Sequence, residues 1–194
     1  KTKPVLGIIG VGLIGGSVGL AQKKTGAFSR VLGVGRSSVN MDEALRLGAI
    51  DEVANLSECA SRADVLVVCV PVAQTFSILH AIEPHLKPSA LITDAGSTKS
   101  DVIIAAKTAL GDKVAQFIPA HPIAGGAQHG AGAAAAGLVR AGDRAAGRGV
   151  AGLQYPRHRR RRFVYRQPVG EAAGRLRRLA GRLLQRRQVP VAGR

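Results

Sequence analysis

Hydrophobic residues in the first two thirds of the chain fall into two alternating patterns. Short runs that are apolar along their whole length and rich in β-branched residues occupy 5–9, 31–34, 65–70, 90–93 and 114–118. Such runs suit strands buried on both faces. Between them, apolar positions recur at the 3.6-residue spacing of a helix over 13–23, 42–47, 75–86 and 99–110. The last of these is opened by Ser97 or Thr98 and carries Asp101 in its first turn. Gly, Pro, Asp or Ser marks each switch of period. Repeated strand–helix–strand units require right-handed crossovers, so the pattern predicts an α/β fold, a doubly wound parallel sheet with helices on both faces. Sheets of this kind bind ligands beyond the carboxyl ends of their strands.

The residues that follow the strands are therefore the ones to read for chemistry. After the first strand comes Gly10-Val11-Gly12-Leu13-Ile14-Gly15-Gly16-Ser17, a G-x-G-x-x-G at the strand-to-helix turn of a Rossmann-type dinucleotide domain. Gly10 permits the tight turn, Gly12 lets the backbone approach a pyrophosphate, and Gly15 lets helix and strand pack closely. The helix N-terminus then faces the phosphates. After the second strand the chain reads Gly33-Val34-Gly35-Arg36-Ser37-Ser38, with no acid for the adenosine ribose. Arg36 is placed to lie on the adenine face or to pair with a 2′-phosphate, with Ser37 and Ser38 as further donors, which tilts the choice between NAD and NADP toward NADP. The third strand ends in Val68-Cys69-Val70-Pro71. Val70 and Pro71 are expected under the nicotinamide side of the cofactor, and Cys69 is expected to be a small hydrophobe.

After the fourth strand stands Asp94-Ala95-Gly96-Ser97-Thr98-Lys99-Ser100, and after the fifth His121-Pro122-Ile123-Ala124-Gly125-Gly126. Loops after consecutive parallel strands converge on one crevice, so Ser97 is expected to orient His121 while His121 exchanges a proton with a substrate hydroxyl. A hydride acceptor beside such a base makes an alcohol dehydrogenase-type reaction. His80 and His85 lie on a helical pattern and are expected at the surface. No metal ion is called for.

These motifs together resemble the prephenate/arogenate dehydrogenase family: GVGLIGGS, DAGSTKS and HPIAGG occur in the family's order and at suitable separations, over residues 5–126. The resemblance implies oxidation of prephenate to 4-hydroxyphenylpyruvate, or of arogenate to tyrosine, with loss of CO₂ and with NAD or NADP as acceptor. It implies His121 as the base at the ring hydroxyl and Ser97 beside it. It also implies a homodimer formed through a helical domain that follows the cofactor domain and supplies an arginine for the substrate carboxylate. Members often carry Glu two positions after the last glycine of HPIAG, where this chain has Ala127.

Charge changes the picture at the far end. Of a net charge of +16, residues 1–126 hold +2 and residues 127–194 hold +14. The last 68 residues contain 16 Arg, 14 Ala and 11 Gly, with no Lys, Ser, Thr, Ile, Asn, Met or Cys, whereas the first 126 hold 16 Ser and Thr, 11 Ile and 8 Lys. No demand of a protein surface excludes lysine, serine and threonine while admitting sixteen arginines; out-of-frame reading of a GC-rich gene does. The expected division is thus an NAD(P)-binding domain over 1–126, with 137 as its outer bound, and a basic tail over 127–194 that stands where the family has its substrate and dimer domain. The other reading of Arg157-His158-Arg159-Arg160-Arg161-Arg162 is a nucleic-acid arm, with 171–187 as a basic amphipathic helix. With only Tyr155, Phe163 and Tyr165 for stacking, nucleic acid is expected to bind only adventitiously. Two cysteines, Cys59 and Cys69, without a charged-then-apolar leader point to the cytoplasm, and no apolar run reaches membrane-spanning length.

Overall fold

The apolar runs become strands whose two faces both pack. In the computed structural model, which describes residues 2–120, 130–136 and 138, the elements run β1 (Val5–Ile9), α1 (Leu13–Thr25), β2 (Arg30–Val34), α2 (Ser38–Arg46), β3 (Glu52–Val53), α3 (Leu56–Arg62), β4 (Val65–Val68), α4 (Thr75–Ile82), β5 (Leu91–Asp94), α5 (Lys99–Leu110) and β6 (Phe117–Ile118). All pairings are parallel, and the strands lie in the order β3-β2-β1-β4-β5-β6. Chain progression reverses between β1 and β4, which opens a crevice at the carboxyl ends of these two strands.

Alternation along each strand feeds two cores. Leu6 and Ile8 of β1 and Val65 and Val67 of β4 pack with Val18 of α1 and Met41 of α2 on one face. Ile9, Leu66, Val68 and Ile92 pack with Leu79 and Ile82 of α4 and Val102 and Leu110 of α5 on the other. Each fully buried Leu or Ile among them contributes about 1.5–3 kcal/mol. Among the described residues, no helix is long and apolar enough to cross a membrane.

The structure adds two elements that the hydrophobic pattern did not show. Strand β3 has only two residues, too few for a period, and α3 is held by a capping box in which Asn55 accepts from the Glu58 backbone and Glu58 accepts from that of Asn55. Several boundaries also differ from expectation. Pairing in β4 stops at Val68, and a 3-10 turn with Pro71 at its cap follows. The predicted strand over 114–118 keeps only its last two residues, because a 3-10 turn takes Gly111–Gln116. Helix α2 begins earlier than its apolar spacing implies, since the Ser37 hydroxyl accepts from the Asn40 backbone amide at 3.3 Å.

The edge of the sheet at β3 carries a charge network. Glu52 accepts from Arg62 at 2.5 Å and from Arg30 at 2.9 Å, and these two guanidinium groups hold its carboxyl at about 2 against an ordinary 4.5. A folded-state pKa below the unfolded one stabilises the fold above the unfolded value and stops doing so as pH falls through the folded one. Glu52→Gln is therefore expected to flatten the fall of the thermal midpoint between pH 4.5 and about 2 relative to the unaltered chain. Raised salt is expected to shrink that difference, because the network lies at the surface.

Candidate dinucleotide site

The glycines after β1 sit at the head of the crevice, and each meets a different demand. Gly10 has φ +91°, and a Cβ there would stand 2.6 Å from the Cys69 carbonyl oxygen. At Gly15 a Cβ would stand 2.3 Å from the Gly10 carbonyl oxygen, so this glycine is what lets α1 begin against the turn. Among the described residues, nothing beyond its chain neighbours lies within 4 Å of the Cβ position at Gly12. That space is open, although Gly12 caps a 13-residue helix whose core face is fully packed.

The head of α1 is chemically unfinished. Its cap offers no side-chain acceptor and its first turn holds no acid. The Gly12 amide is used by the Gly10 carbonyl at 3.0 Å, and the first helical bond runs from the Gly16 amide to the Gly12 carbonyl at 2.8 Å. Leu13, Ile14 and Gly15 lie between, at positions whose amides have no acceptor within a helix. Three such donors at the positive end of a helix, next to a space free of side chains, fit a pyrophosphate. The side chain of Val11, by contrast, is buried in the core with Met41 and Ile50, so only its backbone belongs to the turn.

The remaining predicted residues that are described follow β2, β4 and β5. Arg36 is exposed beyond β2 and forms no salt bridge among the described residues. Ser37 is exposed beside it, its hydroxyl engaged in capping α2. Val70 is half-buried and Pro71 exposed after β4, against Gly10: a Cβ there would stand 3.1 Å from Val70 Cγ1. Burial pushes the Cys69 thiol up to about 12, with Asp94 acting in the same direction, and burial likewise pushes the Cys59 thiol to about 12; neither is a nucleophile at neutral pH. Ser97 is exposed after β5, and its hydroxyl has no bond among the described residues; Thr98, not Ser97, occupies the cap position of α5. His121 lies outside the described residues, as do the arginine run and helix expected in the tail. The first described stretch ends at Ala120, directly before that histidine. His80 and His85 are exposed.

Two residues of the site were assigned no role by the sequence. Asp94, at the end of β5 and 2% exposed, accepts from Lys99 Nζ at 2.5 Å, from the Gly96 amide at 2.8 Å and from the Ala120 amide at 3.1 Å. It thereby fastens the ends of β5, α5 and β6 to one another. A carboxylate closing an apolar strand is the signal that could have found it. Asn40 of α2 donates from Nδ2 to the Val11 carbonyl and accepts at Oδ1 from the Ala131 amide. Nothing local in the sequence marks it.

Comparison with known proteins agrees with this geometry. The prephenate dehydrogenase nucleotide-binding domain family matches residues 18–141, well over half of the chain. The prephenate dehydrogenase of Lactococcus lactis subsp. cremoris is 39% identical over 132 residues, covering 68% of this chain and 36% of that protein. Among solved structures, prephenate dehydrogenase from A. aeolicus in complex with hydroxyphenyl propionate and NAD+ superposes with a TM-score of 0.65 at 25% identity, over 72% of this chain and 49% of that one. Synechocystis arogenate dehydrogenase gives a TM-score of 0.63 at 29% identity, over 71% and 47%. The chain thus matches little more than a third of its Lactococcus relative and about half of each solved chain. With the strand order, the glycine turn and the family match in agreement, the chain belongs to the prephenate dehydrogenase family, in its nucleotide-binding domain.

Proposed function

We propose that this chain binds a nicotinamide dinucleotide across the β1–β4 crevice and belongs to the oxidative decarboxylation of prephenate. The observation that carries the reading is the open space at Gly12 beside the uncapped head of α1. Leu13, Ile14 and Gly15 hold the pyrophosphate through backbone amides. Arg36 meets the adenosine end, where a 2′-phosphate gains a charge-assisted partner. Val70 and Pro71 shape the nicotinamide end. The dinucleotide supplies the two-electron acceptor. His121 takes the proton of the ring hydroxyl, with Ser97 orienting the imidazole, and loss of CO₂ restores aromaticity to the product ring. Aromatisation drives the reaction, so the protein's part is to align hydroxyl and base and to hold the carboxylates. The resemblance to arogenate dehydrogenase favours a second reading, in which the substrate is arogenate.

The tail limits how much of this activity the chain carries by itself. Its composition supports out-of-frame reading from a point between residues 128 and 137, so that the substrate arginine and dimer helices of the family are replaced. Low or no turnover in the cytoplasm follows. Calorimetric titration of the full chain with NAD+ and NADP+ tests the reading. Binding of both is expected, with Arg36→Ala weakening NADP+ about tenfold more than NAD+, the equivalent of about 1.4 kcal/mol from one charge-assisted bond. Failure of both dinucleotides to bind overturns it. Adding prephenate and following the reduced nicotinamide tests the tail: ordinary rates would contradict the out-of-frame account. Genomic DNA downstream of codon 126, read in all three frames, is expected to show the family's next strand in another frame.

A further inference from the structure

Residues 130–135 lie as a strap against α1 and α2, and two side chains stitch it there. Ser17 of α1, fully buried, donates to the Leu13 carbonyl at 2.6 Å and accepts from the Ala135 amide at 3.0 Å. Asn40 of α2 accepts from the Ala131 amide at 2.6 Å, and its Nδ2 reaches the Val11 carbonyl in the middle of the glycine turn. Glycines admit the strap: a Cβ on Gly16 would stand 2.8 Å from Ala134 Cβ, and Gly130 takes φ +83° with the Asn40 Oδ1 at 3.1 Å from its Cβ position. Ala131 is wholly buried in the core beneath.

The bond to Val11 matters because of which peptide it holds. The Val11 carbonyl and the Gly12 amide belong to one planar unit. The amide end is fixed by the Gly10 carbonyl at 3.0 Å and the carbonyl end by Asn40, so the plane cannot rotate. This peptide leads into the Gly12–Leu13 peptide, whose carbonyl accepts from the Gly16 amide at 2.8 Å, so holding it fixes the approach of the turn to the Leu13 and Ile14 amides. A carbonyl one residue from a bound phosphate also repels it less when a donor engages its lone pair.

We propose that Asn40 is a positioning residue for the dinucleotide turn, fixing the Val11–Gly12 peptide so that the helix-head amides meet a pyrophosphate. This rests on the dinucleotide reading above. It assigns to Asn40 an effect on phosphate recognition, separate from its part in seating the strap. Two variants of the full chain divide these roles. Asn40→Ala removes both hydrogen bonds. Asn40→Asp keeps the acceptor for the Ala131 amide and loses the donor to Val11, and its added charge is screened by repeating the measurement at raised salt.

Amide-resolved NMR titration with ADP-ribose and, separately, adenosine reads the outcome. In the unaltered chain the Leu13 and Ile14 amides are expected to shift with ADP-ribose. Both variants are expected to weaken ADP-ribose about five- to tenfold and to leave adenosine unchanged, with the Ala131 amide still protected from exchange in Asn40→Asp. Equal weakening of both probes, or affinity restored in Asn40→Asp, would make Asn40 structural only and overturn the proposal. An unaltered chain that binds neither probe would instead sink the dinucleotide reading itself. Should Asn40→Ala fail to fold, Asn40→Asp carries the test alone.

Discussion

Gly15→Ala is expected to abolish dinucleotide binding and to lower the thermal midpoint by roughly 10 °C, whereas Gly12→Ala is expected to abolish most binding while nearly sparing the fold. The two glycines stand three residues apart in one motif, but they face different things. The new methyl at position 15 would stand 2.3 Å from the Gly10 carbonyl oxygen, 3.0 Å from Ile8 Cγ2 and 3.2 Å from the Gly10 carbonyl carbon. None of these can yield cheaply. Gly10 is held by its amide to the Val34 carbonyl at 2.9 Å, and Ile8 is fully buried. Helix α1 must then lift from β1, an overpacking cost of about 3 kcal/mol. At position 12 the methyl meets none of the described residues beyond its chain neighbours, and the cost is that of a poor cap, at most about 1 kcal/mol. A pyrophosphate needs that empty volume, so a loss of affinity of at least tenfold is expected with little change in melting. Calorimetric melting and titration of both variants separate the cases. Undiminished dinucleotide affinity in Gly12→Ala would mean that the phosphates lie elsewhere.

What could be read from the sequence and what could not follow the range of the forces involved. Both-face burial writes itself locally as unbroken runs such as Val65 to Val68, and the glycine turn is a local demand of one tight bend. The fold class and the backbone of the site were legible for that reason. The capping box at Asn55 and Glu58 is equally local and marks α3, but its seven residues are too few to show a period. Asn40 and Asp94 are different. Asn40 acts on Val11 and Ala131, 29 and 91 positions away, and Asp94 on Ala120, 26 away. Such partners are set by the strand order and the helix layers, which no local pattern encodes. Val11 has two parts to play: its side chain packs in the core, while its backbone belongs to the glycine turn.

Asp94→Ala is expected to cost about 3–5 kcal/mol, the largest effect of any single polar substitution in the described chain. The carboxylate is almost fully enclosed, and its partner Lys99 has a side chain only 13% exposed. Removing the acid leaves an ammonium with little water around it and strands the amides of Gly96 and Ala120, each without its acceptor. Removing both charges should hurt less than the separate losses imply: in a double-mutant cycle of Asp94→Ala and Lys99→Ala, a favourable coupling of about 1–3 kcal/mol is expected from urea denaturation. A loss under about 1 kcal/mol for Asp94→Ala would show that the edge between β5 and β6 is held by the Thr93 hydroxyl on the Ile118 carbonyl at 2.8 Å instead. The distinction bears on function, because Ala120 directly precedes in sequence the histidine that the proposed dehydrogenase reading requires. The Asp94 carboxylate ties the end of β6 to β5, in the same sheet that carries β1 and its glycine turn.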